Sequence, residues 1–329
     1  MKNFLLVISN KTKKNKILQS SDILKIKDIN VIKTNSLYEG IELLNSGNEI
    51  DMIITNYVFK DANATTLFQE LKKSNLFVPV IVVLDETDAH LKTQALVDGA
   101  THVLINPINE GELLLIASNL LNLHREQAHL KASEGIIEAL SKSLDYKDNL
   151  TKGHAKRVAE TSLLVYDALG YKDYEERYKL YIGCLLHDIG KVGVPDNILK
   201  STEVFDKDGP EFNELKKHPR MGFEMSLGVH DETVLDIVLN HHEKIDGSGY
   251  PRGLSAKDLS VTVRIVTIVD IYDSLIHKRT YREKMSPEKA FGIIEEEALN
   301  DKVSYDIYKV FRNLYSKDNI INELAPISD

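Results

Sequence analysis

Five short apolar runs alternate with stretches of helical periodicity, and this alternation constrains the fold of the 329-residue chain more than any other feature. The runs are rich in β-branched residues and occupy Phe4-Ser9, Ile29-Lys33, Asp51-Thr55, Val78-Leu84 and His102-Ile105. Helical periodicity occurs near Leu37-Leu44, Leu67-Leu71 and Leu91-Val97. Because parallel strands need a crossover helix between them, the pattern predicts an α/β domain over residues 1-121, with a doubly wound, five-stranded parallel sheet.

One long helix is predicted after this domain, because residues 111-143 contain no proline and only two glycines. Apolar residues recur in it every seven positions, at Ile116, Leu123, Leu130, Ile137 and Leu144. The companion positions change from Leu113 and Leu120 to Gln127, Glu134 and Ser141. Two interpretations remain open: a helix packed on its own domains, and the seam of a parallel homodimer. We assign residues 122-142 to a linker helix and residues 143-329, where helical periodicity dominates, to an all-α domain.

The composition predicts a cytoplasmic protein without a membrane or nucleic-acid partner. Hydrophobic residues make up 43% and charged residues 28% of the chain, close to ordinary globular usage. The longest apolar run, around Phe77-Leu84, is too short to span a membrane, and Phe4-Ile8 is too short for a signal peptide. The single cysteine fits a reducing compartment. The net charge of -9 argues against a surface that coats nucleic acid.

Histidines and aspartates are gathered in the second half of the chain, and their chemistry indicates a metal site. The set comprises five imidazoles and two carboxylates: His154, His187, Asp188, His218, His241, His242 and Asp270. Two ions about 3.5–4 Å apart can share such a set and clamp the oxygens of a phosphoryl displacement. Mixed imidazole and carboxylate ligands suit iron, manganese, nickel or zinc better than calcium or magnesium. Cys184, three residues before His187, is expected to pack in the core rather than bind metal.

Residues from about 143 to 315 resemble an HD-GYP domain, the bacterial cyclic di-GMP phosphodiesterase branch of the HD metallohydrolase superfamily. The resemblance rests on His187-Asp188-Ile189-Gly190-Lys191 with Val194-Pro195, on Lys217-His218-Pro219, on His241-His242-Glu243 followed by Asp246-Gly247-Ser248-Gly249-Tyr250-Pro251, on Arg264 to Asp273, and on Lys278-Arg279-Thr280-Tyr281-Arg282. It implies the all-α fold and two divalent metal ions. It also implies that the following residues each bind metal: His154, His187, His218, His241, His242 and Asp270. Asp188 is implied to bridge the two ions, with a metal-bound hydroxide as the nucleophile.

Further roles follow from the same resemblance. Lys191 is implied to be catalytic and to bind a phosphate oxygen, although without the motif a solvent-facing lysine at a helix end would be the simpler interpretation. The loop residues Gly249, Tyr250 and Pro251 are implied to frame the substrate and to contact a diguanylate cyclase (GGDEF) domain; a purely structural turn is the alternative. Arg279 and Arg282 would pair with phosphate, or with acidic side chains of their own domain.

The number of metal ions is predicted to be two rather than three. Some members of the family resemble a trinuclear site, in which a glutamate lies four residues before the first histidine ligand. Here that position is Leu150, which cannot bind metal. Asp148, six residues before His154, is expected to begin or cap a helix.

The first 121 residues resemble a response-regulator receiver domain of flavodoxin-like fold, without its chemistry. The acidic metal-binding pair of that family is replaced by Ser9 and Asn10, and the phospho-accepting aspartate by Asn56. Leu84 and Asn106 occupy the hydroxyl and lysine positions. Phosphoryl transfer needs a carboxylate nucleophile and a cation, which asparagine cannot supply. The resemblance therefore implies a pseudo-receiver, a regulatory or dimerising module that is not phosphorylated.

The leading hypothesis is a metal-dependent phosphodiesterase that converts cyclic di-GMP to pGpG, and possibly to GMP, under control of the pseudo-receiver. Two alternatives remain open. One is the same reaction on another cyclic dinucleotide, such as hybrid cyclic GMP-AMP, since the metal core contacts phosphate and does not read bases. The other is a non-catalytic cyclic-dinucleotide sensor or a scaffold for diguanylate cyclases, which the degenerate receiver half suggests.

Overall fold

The structure, a computed structural model, describes residues 2–7, 29–47, 49–59, 62–74, 76–148, 152–201, 203, 205–206, 208–277 and 284–317. The chain divides into two compact units, Met1–Lys131 and Ala132–Asp329. The division falls inside the segment 122–142 that the sequence predicts as a linker.

The first unit contains a parallel sheet. Its strands are β1 (Lys2–Val7), β2 (Ile29–Thr34), β3 (Met52–Asn56), β4 (Val80–Leu84) and β5 (His102–Ile105). They lie in the order β2-β1-β3-β4-β5, and each neighbouring pair is parallel. The described helices between them are α1 (Leu37–Asn45), α2 (Thr65–Lys73) and α3 (Lys92–Asp98), which a 3-10 helix at Glu86–Leu91 precedes.

The central strands are buried on both faces, which explains their nearly continuous apolar sequence. One face, carrying Ile53 and Val82, packs against helices α1 to α3. The other face, carrying Ile54 and Val83, packs against the start of the next helix at Leu113. Helices on both faces of a parallel sheet define the receiver-like, doubly wound architecture of this unit.

Helix α4 (Glu110–Lys147) is 38 residues long, so the prediction of one long helix is confirmed. Its first turns are anchored by the buried Leu113 and Leu121, and its last turn by the buried Leu144. Between these anchors Leu123 and Leu130 are 55% and 58% exposed. Among the described residues, neither α4 nor any other helix combines the length and the apolar character that crossing a membrane requires.

The regular elements described in the second unit are all helices, which confirms the all-α prediction. After α4 come α5 (His154–Ala168), α6 (Tyr174–Leu186), α7 (Asp196–Leu199), α8 (Pro210–Leu215), α9 (His218–Ser226), α10 (Glu232–Asn240), α11 (Val261–Ile276), α12 (Pro287–Leu299) and α13 (Tyr305–Lys317). Short 3-10 helices lie at Ile189–Gly193, Leu227–Val229 and Ala256–Asp258. One apolar core joins α5, α6, α11, α12 and α13, with Phe291 and Phe311 among its largest buried side chains.

Side-chain caps explain where several of these helices begin. Asp173 accepts hydrogen bonds from two backbone N–H groups in the first turn of α6, and Asp231 and Ser260 each accept one from the first turn of α10 and of α11. Because α6, α10 and α11 carry or precede predicted metal ligands, these local signals also determine where the ligands fall.

Candidate metal centre

The predicted ligands lie mostly at helix ends, which point their side chains into one buried space. His154 and His218 are the first residues of α5 and α9, whereas His187 directly follows α6 and His241 directly follows α10. Asp270 is the exception, because it lies in the middle of α11. These elements come from distant parts of the sequence, so only the tertiary fold brings the ligands together.

Gly190 permits the close approach of two of these elements. A Cβ atom at this position would lie 1.9 Å from the carbonyl oxygen of His218 and 2.4 Å from the backbone nitrogen of Gly222. Both neighbours are backbone atoms and cannot move aside cheaply, so only glycine fits. The 3-10 helix after Asp188 is thereby held directly against the start of α9.

The side chains of the predicted ligands form two groups that could each hold an ion. One group is Asp188, His218, His241 and His242, and the other is His154, His187 and Asp270. Within each group the potential ligand atoms lie within 4.8 Å of one another. All but His242 belong to buried residues. The structure therefore brings together all seven side chains that the sequence singled out.

Asp188 lies between the two groups. Its Oδ1 atom is 3.3 Å from His218 Nε2 and 3.9 Å from His241 Nε2. Its Oδ2 atom is 3.4 Å from His187 Nε2 and 3.9 Å from His154 Nε2. Each carboxylate oxygen thus faces a different group, as a bridging ligand requires.

Hydrogen bonds from the outer ring nitrogens leave the inner ones available. His187 Nδ1 donates to the carbonyl oxygen of Cys184 (2.6 Å), and His218 Nδ1 donates to that of Leu215 (2.8 Å). His241 Nδ1 likewise donates to the carbonyl oxygen of Val238 (3.0 Å). Since these carbonyls can only accept, each Nδ1 carries a proton, and in a neutral ring the Nε2 atom then presents a lone pair to the centre.

Two observations indicate that these lone pairs fit a cation. His187 is fully buried, yet its Nε2 atom makes no hydrogen bond. The Nε2 atoms of His218 and His241 lie only 3.3 Å apart, although both face each other with lone pairs. Buried polar atoms normally have partners, so this arrangement needs a positive charge between the rings. Mixed imidazole and carboxylate donors match divalent transition metals.

The electrostatics of the cluster agree with ligands that are ready to bind metal. Burial alone would raise the pKa of Asp188, but the positive charge of Lys191 counters it, and the pKa of this carboxyl lies well below its usual range. Burial alone would also raise the pKa of Asp270, but the hydrogen bond and the charge of His154 lower it well below its usual range, so that carboxyl stays ionised. Burial, together with neighbouring histidines, lowers the pKa of His241 to about 3, so its ring is neutral at pH 7.

His154 behaves differently, because two carboxylates surround it. Burial alone would lower the pKa of His154, but hydrogen bonds to Asp270 (3.1 Å from Nε2) and Asp273 (2.7 Å from Nδ1) raise it to about 9. Asp273 is in turn held by a bidentate pair with Arg157, at 2.8 and 2.9 Å. Asp273 and Arg157 were not predicted from the sequence, where the three-residue spacing from Asp270 to Asp273 on one helix face was the available signal.

Lys191 lies at the edge of this centre and not in open solvent. Its Nζ atom donates to Asp188 Oδ2 at 2.6 Å and lies 3.6 Å from Asp148 Oδ2. Asp148 directly follows the last residue of α4, so it does lie at a helix end, but at the C-terminus. Its carboxylate pairs with Lys191 there.

The glycine-rich loop is tied to the centre through Glu243. This buried carboxylate accepts hydrogen bonds from the backbone N–H groups of Arg252 (2.6 Å), Gly253 (3.1 Å) and Leu254 (3.0 Å). A Cβ atom at Gly249 would lie 2.4 Å from Glu243 Cα, so only glycine fits beneath the loop. The role of Glu243 was also missed, although it directly follows the two histidines.

The loop places one aromatic ring against a predicted ligand. The ring centroids of Tyr250 and His242 lie 4.8 Å apart. The backbone N–H of Tyr250 donates to the carbonyl oxygen of His242 at 3.2 Å. Pro251 follows it and is half-buried. Tyr250 therefore lies directly beside a candidate metal ligand.

Some predicted residues are not brought to the site or cannot be placed. Burial raises the pKa of the Cys184 thiol to about 12, and the side chain packs in the apolar core, as expected. Arg279 and Arg282 lie outside the described residues, as do Leu150, Ser9 and Asn10.

The positions of the receiver-like unit that lack phosphorylation chemistry are integrated into its fold. Asn56 ends β3, is buried, and donates from Nδ2 to the carbonyl oxygen of Val83 at 3.3 Å. Asn106 donates from Nδ2 to the carboxylate of Asp85 at 2.7 Å. Both amides thus contribute hydrogen bonds between neighbouring strands or loops.

The family of the chain follows from the comparison with family models. The model described as "HD domain" matches residues 138–306, which include all seven predicted ligands. The chain belongs to the HD domain family.

Named relatives sharpen this assignment. The chain is 28% identical to the cyclic di-GMP phosphodiesterase response regulator RpfG of Xanthomonas campestris, over 74% of this chain and 70% of that protein. It is 25% identical to a cyclic di-GMP phosphodiesterase of Thermotoga maritima, over 83% of this chain and 80% of that protein. It is 36% identical to the 3'3'-cGAMP-specific phosphodiesterase 3 of Vibrio cholerae, over 55% of this chain and 40% of that protein. The first two alignments cover more than residues 132–329 contain, so they extend into the receiver-like unit.

Proposed function

We propose that the chain is a metal-dependent phosphodiesterase that hydrolyses cyclic di-GMP to pGpG, with GMP as a further product that the assay tests. The observation that carries the proposal is the buried cluster in which each carboxylate oxygen of Asp188 faces a separate group of potential ligands. Such an arrangement matches two-metal hydrolysis of phosphate esters. The names of the relatives support the choice of a cyclic dinucleotide as substrate.

Two ions would be held by the seven side chains of the cluster, with Asp188 between them. When bound, they supply water of lowered pKa and positive charge beside the phosphodiester. Their identity is proposed to be iron or manganese, with nickel and zinc as the further candidates that imidazole and carboxylate ligands accept. Elemental analysis of the purified protein would test the number, since three ions per chain would contradict the binuclear site.

The protein's own groups position the substrate around this centre. Lys191, held at the Asp188 edge, would donate to a phosphate oxygen and offset the negative charge that grows in the transition state. Tyr250 and Pro251 would frame the substrate beside His242, and Gly249 lets their loop lie close to the backbone of Glu243. Arg279 and Arg282 are proposed as additional phosphate contacts from the sequence resemblance alone.

The test is hydrolysis by protein purified without oxygen and reconstituted separately with iron and with manganese. The products pGpG and GMP would be followed by chromatography, beside an Asp188→Ala control. We expect turnover in the wild type and none in the control. A protein that carries two metals but hydrolyses nothing would contradict the proposal and favour a sensor or scaffold.

A second candidate substrate is hybrid cyclic GMP-AMP. The 36% identity to a 3'3'-cGAMP-specific enzyme favours testing it in the same assay. The two dinucleotides present the same phosphates to the metal core and differ in one base. The ratio of their kcat/KM values therefore measures which base the site prefers and decides between the two substrates.

We further infer that the receiver-like unit is a pseudo-receiver that regulates the HD domain without being phosphorylated. The amide of Asn56 at the acceptor position and that of Asn106 at the lysine position support this inference. The exposed face of the glycine-rich loop, which includes Asp246, Ser248 and Arg252, is proposed as the contact for a diguanylate cyclase (GGDEF) domain.

A homodimer through α4 is part of the same proposal. Leu123 and Leu130 are exposed and lie one heptad apart on this helix, as the seam of a parallel coiled coil requires. Light scattering on the full chain tests it: the wild type should have twice the mass of a monomer, and Leu123→Lys together with Leu130→Lys should have the monomer mass. A monomeric wild type would contradict the dimer.

A further inference from the structure

The C-terminal end of α4 is attached to the segment that carries Lys191. Lys147 Nζ donates to the carbonyl oxygen of Val192 and lies 3.8 Å from Asp196 Oδ1. The next residue, Asp148, extends the last turn, because its backbone N–H donates to the carbonyl oxygen of Leu144 at 2.8 Å. Its side chain reaches Lys191, with 3.6 Å between Oδ2 and Nζ.

The Asp148–Lys191 pair is shielded from water. The Asp148 side chain is 6% exposed and that of Lys191 is 12% exposed. A carboxylate at this depth is costly without a cationic partner, and screening by solvent and salt is weak there. The pair differs in this respect from the neighbouring pair of Lys147 and Asp196, whose aspartate is 60% exposed.

Among the described residues, Asp188 and Asp148 both pair with Lys191, and they have different tasks. Asp188 accepts its short hydrogen bond but also faces four histidines of the metal centre. Asp148 belongs to neither group of potential ligands among the described residues. The proposed function requires both carboxylate oxygens of Asp188 to bind metal ions. Asp148 is then the carboxylate that keeps the ammonium group of Lys191 at the edge of the centre.

We propose that Asp148 is a positioning residue that holds Lys191 in place for the phosphate of the substrate. The inference rests on the proposed phosphodiesterase function, in which Lys191 contacts phosphate. It also means that the last turn of a 38-residue helix directly supports a substrate-binding group, so that a shift of this turn changes the site.

The variant that tests this role is Asp148→Asn in the full chain, which removes the charge and keeps the shape. Asp196→Asn is the matched control, since it removes a carboxylate beside the same helix end without contact to Lys191. Two properties are measured on metal-loaded protein: kcat and KM for cyclic di-GMP, and the rate at which acetic anhydride acetylates Lys191, read by mass spectrometry. Metal content and melting temperature are recorded for each protein.

We expect Asp148→Asn to lower kcat about tenfold, as loss of a supporting residue around a metal site does, with unchanged metal content. Acetylation of Lys191 should become several-fold faster, because the ammonium group loses its restraint. Asp148→Glu, which restores the charge, should recover part of kcat, and Asp196→Asn should match the wild type in both properties.

Equal acetylation rates and equal kcat in the wild type and in folded Asp148→Asn would overturn the proposal. If Asp148→Asn does not fold, Asp148→Ser takes its place, with the same expected and contradicting results. A wild type without hydrolysis would overturn the proposed function only, because the acetylation rates still measure whether Asp148 restrains Lys191.

Discussion

Asn56 in the receiver-like unit and His187 in the HD domain are both buried polar side chains beside the end of a regular element. They differ in whether the surrounding protein supplies a hydrogen-bond partner. Asn56 Nδ2 donates to the carbonyl oxygen of Val83, whereas His187 Nε2 makes no hydrogen bond. The same contrast separates Asn106, which donates to Asp85, from the facing Nε2 atoms of His218 and His241. A buried polar group that is satisfied internally stabilises a fold, and one that is left unsatisfied indicates a ligand.

The largest effect is expected from removing the bridging carboxylate. Asp188→Ala should lower turnover of cyclic di-GMP by at least roughly a thousandfold, because both groups of ligands lose their shared member. Asn56→Ala, the matched change in the other unit, should leave turnover close to that of the wild type. Chromatography of pGpG measures both. An Asp188→Ala protein with substantial turnover would break the distinction between the two units.

The pH dependence of metal binding sharpens the description of the HD domain. Metal-free His154 has a pKa of about 9, above the ordinary value of 6.5, so it is protonated at pH 7 and must lose a proton to bind an ion. Apparent metal affinity should therefore rise about tenfold per pH unit between pH 7 and pH 9, and level off above. Titration against a competing chelator measures it.

The same raised pKa has the opposite consequence for the stability of the metal-free chain. The protonated form of His154 is favoured in the folded state, so its contribution is complete below pH 6.5 and is lost as the pH rises through about 9. The variant Asp273→Asn tests whether His154 causes the pH dependence of metal binding. It removes one of the two carboxylates that raise the pKa of His154, so the rise of metal affinity with pH should end at a lower pH. If metal affinity depends on pH in the same way in Asp273→Asn and in the wild type, His154 is not the group that loses the proton.

A smaller effect is expected from the carboxylate that holds the glycine-rich loop. Glu243→Gln replaces an acceptor of three backbone N–H groups by an amide with a single oxygen, so the loop loses part of its support. We expect kcat/KM to fall about tenfold, mainly through KM, with metal content unchanged. Steady-state kinetics beside elemental analysis measure both, and a loss of metal would show that Glu243 supports the ligands instead.

The smallest effect is expected from restoring a carboxylate in the receiver-like unit. Incubation with acetyl phosphate should leave the intact mass of both the wild type and Asn56→Asp unchanged, without the gain of about 80 Da that one phosphoryl group adds. Asn56→Asp should also unfold more easily, by about 1–3 kcal/mol, because a buried carboxylate then faces the carbonyl oxygen of Val83. A phosphorylated wild type whose mass gain is lost in Asn56→Ala would contradict the pseudo-receiver.

The residues that could be predicted from the sequence are those whose chemical type is unusual for their surroundings. Histidine pairs and a His-Asp dipeptide at the end of an apolar helix are rare without a ligand, so the seven candidate metal ligands could be chosen before any geometry was known. The long helix followed from the near absence of glycine and proline between residues 111 and 143. These signals are local, so they can be recognised in the sequence before the fold is known.

The tertiary structure alone decided which ordinary residues support the site. Asp273 lies 119 positions from His154, and the helices α5 and α6 separate Asp148 from Lys191 along the chain, so neither partnership has a local pattern. Glu243 is adjacent to the ligands, yet its role depends on a loop that folds back over it. The sequence by itself determined the chemistry of the ligands, because side-chain type is local. Packing decided their tautomers, pairing and support, because those depend on distances between residues that are far apart along the chain.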